Sequence, residues 1–339
     1  MTEGINTDRV TRWLQDHIPS LEPPVTFELI AGGRSNLTFH CRDATGASCV
    51  LRRPPLGHVL ESAHDVGREH RIISALAATD VPVAENYGLC TDTAVNDAPF
   101  YVMNFVEGVV PHDSVVAATI AESERRPIGL HMMEVLARLH KTDPDDVGLG
   151  DLGRKEAYLT RQLKRWTKQW EAMKTDEIPE MEESCRILWE KMPVQIGATI
   201  VHGDYRLGNM IVKEGKLQAV LDWELCTLGD PLADIGYLLN SWLTADEVEM
   251  GPGDQAPTAV GGFPHRDELC ELYEAATGRD LSNIDYYRAF SHWRLASIAQ
   301  GVYKRYLVGA MGSSGDLDLT NYKQGVQTRA QSALALLTG

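Results

Sequence analysis

Between residues 199 and 224, three apolar stretches each run into side chains able to do chemistry. Thr199-Ile200-Val201 leads into His202-Gly203-Asp204, and Asn209 follows close behind. Residues 217–221 lead into Asp222-Trp223-Glu224, folding back on Ile211-Val212 as a hairpin over Glu214-Gly215-Lys216. If the apolar runs are anchored in a core, Asp204, Asn209 and Asp222 emerge together at one rim. Alone, each is an ordinary turn or capping residue. Together they are hard oxygen ligands of the kind Mg2+ prefers, and they supply a candidate general base. Convergent carboxylates at strand ends are unfavourable unless they bind something, which points to an active site.

The elements that position this rim fall into two parts. Asn6 or Thr7 caps a first helix with Val10, Trp13, Leu14, His17 and Ile18 on one face, ended by Pro23-Pro24. Strands are expected at 26–30, 37–42, 48–53, 83–90 and 100–105, with a helix at 63–78 and a polar turn at 91–99. Beyond residue 110 the pattern turns helical, with helices expected at 128–140, 156–173, 180–191, 232–243, 266–277, 284–307 and 320–337. Residues 249–264, rich in Gly and Pro, read as a mobile loop or lid carrying Glu249 and Asp254. The expected class is α+β, with a sheet-rich N-terminal lobe at 1–107 and a helical C-terminal lobe at 108–339.

Composition excludes several partners. A chain of 339 residues is long enough for two lobes, and 43% hydrophobic with 24% charged residues is ordinary for a globular protein. The net charge of -16 argues against nucleic acid or an anionic membrane as the main partner. The six cysteines are scattered without a CxxC pair, the N-terminus has no signal-peptide pattern, and no apolar run approaches the ~20 residues of a membrane span. A cytoplasmic protein is expected; oligomeric state is not readable.

Other motifs admit both a functional and an ordinary role. Gly32-Gly33-Arg34-Ser35-Asn36 between two strands can cradle a phosphate or form a plain hairpin turn. Arg52 on a strand and Glu69 on a helix can form a phosphate-aimed ion pair, or be a surface Arg and a solvated Glu. Gly148-Leu-Gly-Asp-Leu-Gly153 matches GxGxxG but follows a polar turn, so the dinucleotide context is missing. Walker, GxSxG and HExxH patterns are absent from the sequence.

His202-Gly-Asp-Tyr-Arg-Leu-Gly-Asn209, Leu221-Asp-Trp-Glu224 and Gly229-Asp-Pro-Leu-Ala-Asp234 together resemble the aminoglycoside phosphotransferase family, which has a bilobal protein-kinase-like fold. With Leu51-Arg-Arg-Pro-Pro55, the pattern is similar to the kinase-like domains associated with acyl-CoA dehydrogenases. The resemblance implies that Asp204 orients the acceptor hydroxyl and accepts its proton, that Asn209 and Asp222 hold Mg2+, and that Arg206 faces the transferred phosphoryl group. It places Gly33 and Ser35 over the phosphates, Arg52 and Glu69 as the phosphate-directing pair, and the backbone of Asn104, Phe105 and Val106 at the adenine. Arg52 stands where the family usually has Lys.

The activity implied is transfer of the ATP γ-phosphoryl group, with Mg2+, to a hydroxyl of a small molecule: a metabolite such as a hydroxyacyl compound, or an aminoglycoside-like acceptor. A nucleotide-binding pseudokinase acting as sensor or scaffold is the alternative. The aromatic and arginine side chains of the late helices (Tyr286, Tyr287, Arg288, Trp293, Arg294 and Tyr303) are expected to line an acceptor pocket suited to an anionic or partly apolar compound. Asp230 and Asp234 are expected to be structural, and His202 to pack and hydrogen-bond within its loop.

Overall fold

A computed structural model describes residues 2–31, 36–56, 65–247, 256–309 and 319–339. The N-terminal lobe is a five-stranded antiparallel sheet. Its strands are β1 (Thr26–Ala31), β2 (Leu37–Arg42), β3 (Ser48–Arg53), β4 (Asn86–Cys90) and β5 (Phe100–Asn104), in spatial order β1-β2-β3-β5-β4. Strand alternation divides its faces. Cys49 and Leu51 pack with Phe39, Phe100 and Val102 against Val10 and Leu14 of α1 (Thr7–His17). Val50, Tyr101 and Met103 turn the other way, toward Ile72 and Leu76 of α2 (Val66–Leu76). Arg52 shares that second face, opposite Tyr101 in the β3–β5 register.

The expected strands and helices largely appear, with informative differences at their ends. Asn6 caps α1, accepting from Arg9 N. The start expected for α2 at residue 63 lies outside the described residues; Asp65 caps the helix by accepting from Arg68 N. β4 starts later than expected because Pro82 O is taken by Val220 N from the other lobe. The turn at 91–99 holds a short helix, α3 (Thr93–Asn96).

The C-terminal lobe begins with α4 (Ser114–Ala117) and α5 (Glu122–Lys141); the latter starts six residues before the expected position and takes in Pro127. Then come α6 (Tyr158–Met173), α7 (Pro179–Glu190), α8 (Leu232–Ser241), α9 (Arg266–Thr277), α10 (Ile284–Leu307) and α11 (Leu319–Thr338). α10 packs against α6, α7, α8 and α11, while α5 packs on α9. Inserted among them are β6 (Thr199–Val201), paired with β9 (Thr227–Gly229), and the hairpin of β7 (Met210–Lys213) and β8 (Lys216–Val220). Among the described residues, no helix is long and apolar enough to cross a membrane.

The connection between lobes is stitched to the β7–β8 hairpin. Val109 N donates to Val212 O and Val212 N to Val109 O, both at 2.9 Å. Gly108 makes that approach possible: at φ 151° its added Cβ would lie 2.7 Å from Val212 O.

Candidate active site

The rim forms as the strand endings imply. Beyond β6, the backbone amides of His202 and Gly203 donate to Asp234 Oδ2 and Oδ1 at 2.7 and 2.8 Å. Asp234 lies in the first turn of α8 and is completely enclosed, with His140 Nε2 3.2 Å from Oδ2. Burial alone would raise its pKa, but His140 and the amide donors hold it below the usual carboxylate value. Asp230 accepts from Tyr287 Oη and Leu232 N. Both carboxylates thus have structural partners.

His202 ties two loops together. Its Nδ1 accepts from Asp204 N at 3.2 Å, so Nε2 carries the proton donated to Leu221 O at 2.9 Å. Gly203, at φ 86°, could not carry a side chain here: a Cβ would come 2.9 Å from Leu225 O.

Asp204 and Asn209 touch directly. Asn209 Nδ2 donates to Asp204 Oδ2 at 2.7 Å and to Asp204 O at 2.9 Å. With its nitrogen so used, Asn209 offers Oδ1 as a ligand atom. Leu221 N donates to Asn209 O at 2.8 Å, which sets Asp222 beside this pair. Asp222 itself has a left-handed backbone, φ 66°, unusual for a non-glycine residue and typical of a strained functional position. Arg206 is partly exposed, with Nε 3.4 Å from Asp204 Oδ1.

The N-terminal lobe contributes a buried ion pair. Arg52 Nε lies 2.9 Å from Glu69 Oε2, and Nη2 lies 2.8 Å from Asp222 Oδ1. Glu69 also accepts from Tyr101 Oη at 2.9 Å and Asn36 Nδ2 at 2.8 Å. Asn36 therefore serves Glu69 rather than adding a donor to a phosphate loop. Gly33 and Ser35 lie outside the described residues. At the end of β5, Asn104 is engaged with Glu85: its amide donates to Glu85 O, and its Oδ1 accepts from Glu85 N, both at 2.8 Å. Phe105 stacks on His40 with ring centroids 4.3 Å apart, and Val106 packs on the larger core.

Glu69, Asp222 and Glu224 each place a carboxylate oxygen within 4.8 Å of the others. Burial, then the charges of Asp222 and Glu69, push Glu224 up to about 7. Its Oε2 is buried with no hydrogen-bond partner among the described residues. This concentration of hard oxygen donors, one of them orphaned, fits a small divalent cation. Asn209 and Asp222 are the ligands expected, with Glu224 within reach.

Two expectations are corrected. The proposed acceptor-pocket aromatics Tyr286, Tyr287 and Trp293 are buried in the core, and their polar atoms bond to Leu188 O, Asp230 Oδ2 and Met181 O. These helical aromatics are packing residues rather than a lining. Arg288 is held by Asp285 and Asn240. The expected lid is also less open than its composition suggests. Residues 248–255 lie outside the described residues, but Thr258 Oγ1 donates to Leu243 O, Arg125 Nη1 to Val260 O and Trp242 Nε1 to Pro264 O.

Two residues near Asp204 emerge from the structure. Tyr237 faces its carboxylate from α8, and burial together with that charge raises the phenol. Arg294 reaches the adjoining turn from α10, Nη2 donating to Gly203 O at 3.1 Å. Tyr237 could have been found from helical periodicity, since it lies one turn beyond Asp234 and shares its side of the helix.

A two-lobed fold in which the strand–helix ion pair of Arg52 and Glu69 is joined across the cleft to Asp222 is that of the protein-kinase-like phosphotransferases. Residues 26–272 match the model of the phosphotransferase enzyme family (APH), and the chain belongs to that family. It is 38% identical over 308 residues to mouse acyl-CoA dehydrogenase family member 10, covering 89% of this chain and 28% of that protein. Human acyl-CoA dehydrogenase family member 11 is 33% identical over 321 residues, 93% of this chain and 40% of its own length. The chain thus spans well under half the length of these curated relatives. A crystal structure from Ralstonia eutropha, provisionally named an aminoglycoside phosphotransferase, has a TM-score of 0.81 and 34% identity over 98% of both chains. The fold also matches aminoglycoside phosphotransferase APH(4)-Ia with ADP and hygromycin B, at TM-score 0.62 and 14% identity over 97% and 99% of the chains.

Proposed function

We propose that this chain is an ATP- and Mg2+-dependent kinase of a small hydroxyl compound. The observation that carries the reading is the contact of Asp204 with Asn209 beside Asp222, itself tied to the Arg52–Glu69 pair. The reaction is an in-line displacement. The acceptor hydroxyl oxygen bonds to the γ-phosphorus, the bond to the β–γ bridging oxygen breaks, and ADP leaves. Asp204 orients the hydroxyl and takes its proton, while Asn209 holds the Asp204 carboxylate in place. Arg52, kept charged by Glu69 and Asp222, is aimed at the nucleotide phosphates. Arg206 stands on the phosphoryl side of Asp204. Asn209 and Asp222 would hold Mg2+, which would supply neutralisation of the phosphate charge.

The backbone of Asn104, Phe105 and Val106 binds adenine, and Gly33 and Ser35 serve the phosphates. The lobes divide at about Glu107. A cytoplasmic setting belongs to the same reading, supported by six unpaired cysteines. The acceptor is a metabolite such as a hydroxyacyl compound, or an aminoglycoside-like molecule.

Mg-ATP consumption measured against a library of hydroxyl compounds, in wild type and Asp204→Asn, tests this. A kinase shows acceptor-stimulated ADP release that falls about a hundredfold or more in Asp204→Asn. ATP binding without Asp204-dependent turnover would instead favour a nucleotide-binding pseudokinase, the reading that the arginine at position 52 motivates.

A further inference from the structure

The acceptor side of Asp204 carries cations that the handling of nucleotide does not require. Arg294 is the central one. Its bond to Gly203 O sets the guanidinium one residue from Asp204, and its central carbon lies 5.4 Å from the Tyr237 ring centre. Its Nε is buried without a hydrogen-bond partner, and no carboxylate pairs with it among the described residues. That distinguishes it from Arg52, Arg71, Arg126, Arg186, Arg266 and Arg288, each of which has an acidic partner. A half-buried cation without a counter-ion is unfavourable, and one carbonyl dipole does not neutralise it.

We propose that Arg294 selects the acceptor by binding an oxyanion, a carboxylate or a phosphate, carried by the hydroxyl compound that Asp204 serves. The proposal rests on the phosphotransferase reading and names its substrate class. A guanidinium presents a planar fork that matches both oxyanions bidentately.

The surroundings favour an anion. Arg161 of α6 has a buried Nη1 without a hydrogen-bond partner, and its Nη2 donates to Arg154 O at 2.6 Å. Burial raises the Tyr158 phenol, and the charges of Arg294 and Arg161 both oppose that rise. Against these stand the carboxylates of Asp204, which Asn209 Nδ2 already contacts, and Glu224. A polycationic acceptor would meet guanidinium groups here, whereas an anionic one completes an unfinished ion pair. Because Gly203 adjoins Asp204, the oxyanion and the phosphorylated hydroxyl must be close neighbours in the acceptor.

Matched acceptors separate this inference from the reading beneath it. ADP release is measured with malate and malamide, with glycerol phosphate and glycerol, and with hygromycin B. The charged member of at least one pair is expected to have the higher kcat/KM, by about tenfold or more. Arg294→Gln should reduce that charged-to-neutral ratio by a similar factor, and Arg294→Lys should restore part of it. The two pairs distinguish carboxylate from phosphate. Asp204-dependent turnover that prefers neutral or cationic acceptors, or a ratio unmoved in Arg294→Gln, overturns the inference while leaving phosphotransfer intact.

A second measurement does not need turnover. With Mg-ADP saturating and ionic strength held constant, sulfate and inorganic phosphate are titrated while intrinsic tryptophan fluorescence is followed. Saturable binding should weaken at least about tenfold in Arg294→Gln and also in Arg161→Gln. No saturable binding, or binding indifferent to both substitutions, overturns the proposal even if no acceptor is found.

Discussion

Arg52 reaches across the cleft to Asp222, Nη2 to Oδ1 at 2.8 Å, while its Nε remains 2.9 Å from Glu69 Oε2. One guanidinium thus joins β3, α2 and the loop after β8. An ammonium is a point charge and cannot fork between two carboxylates in the same way. Arg52→Lys should therefore keep most of the stability while raising KM for ATP. Arg52→Met leaves the enclosed Glu69 without its cation and should destabilise the fold by about 3 kcal/mol or more. Thermal unfolding alongside ATP kinetics checks both; equal stability of Arg52→Met and wild type would show that Glu69 is held by Tyr101 and Asn36 alone.

The turn of His202 and Gly203 depends on a buried carboxylate from α8. Asp234 accepts from the amides of His202 and Gly203 and is contacted by His140. Asp234→Ala strands two buried amide donors and should cost about 3 kcal/mol or more. Asp234→Asn loses the charge and one acceptor, so a smaller loss is expected. In either variant, the activity that remains should scale with the folded fraction measured by circular dichroism. A fully folded Asp234→Ala protein would refute this structural role.

Tyr237 offers a finer test at Asp204. Its hydroxyl faces the carboxylate, whose charge raises the phenol after burial has done so. A donor aimed at a carboxylate favours its charged form and weakens it as a base. Tyr237→Phe should change kcat by a few-fold, without altering KM for ATP. An unmoved kcat would mean that the hydroxyl does not act on Asp204.

How far the sequence carries depends on how local each contact is. Asp204 and Asn209 are five residues apart, so the turn chemistry between short strands is visible in the chain itself. The amphipathic spacing of residues 266–277 likewise places α9 without tertiary information. Arg294 is 91 residues from the carbonyl it contacts, and Asn36 is 33 residues from Glu69. No local pattern links those pairs. Tyr286, Tyr287 and Trp293 misled for a related reason: α10 is enclosed by four other helices, so most of its circumference is core and an aromatic face implies no pocket.

The same enclosure makes α10 sensitive to acid. Burial, then the neighbouring Arg288, Arg329 and Arg266, push His292 down to about 4, from an ordinary value of 6.5. Between these values the unfolded chain binds the proton and the folded chain does not. Stability therefore rises with pH across that window and is lost as pH falls through it. The full effect is on the order of 3 kcal/mol. His292→Gln cannot titrate, so its unfolding free energy should be flatter from pH 6.5 down to about 4 than that of wild type. Denaturant titrations at several pH values give the difference directly. Parallel curves for the two proteins would show that His292 is accessible enough to protonate in the folded state.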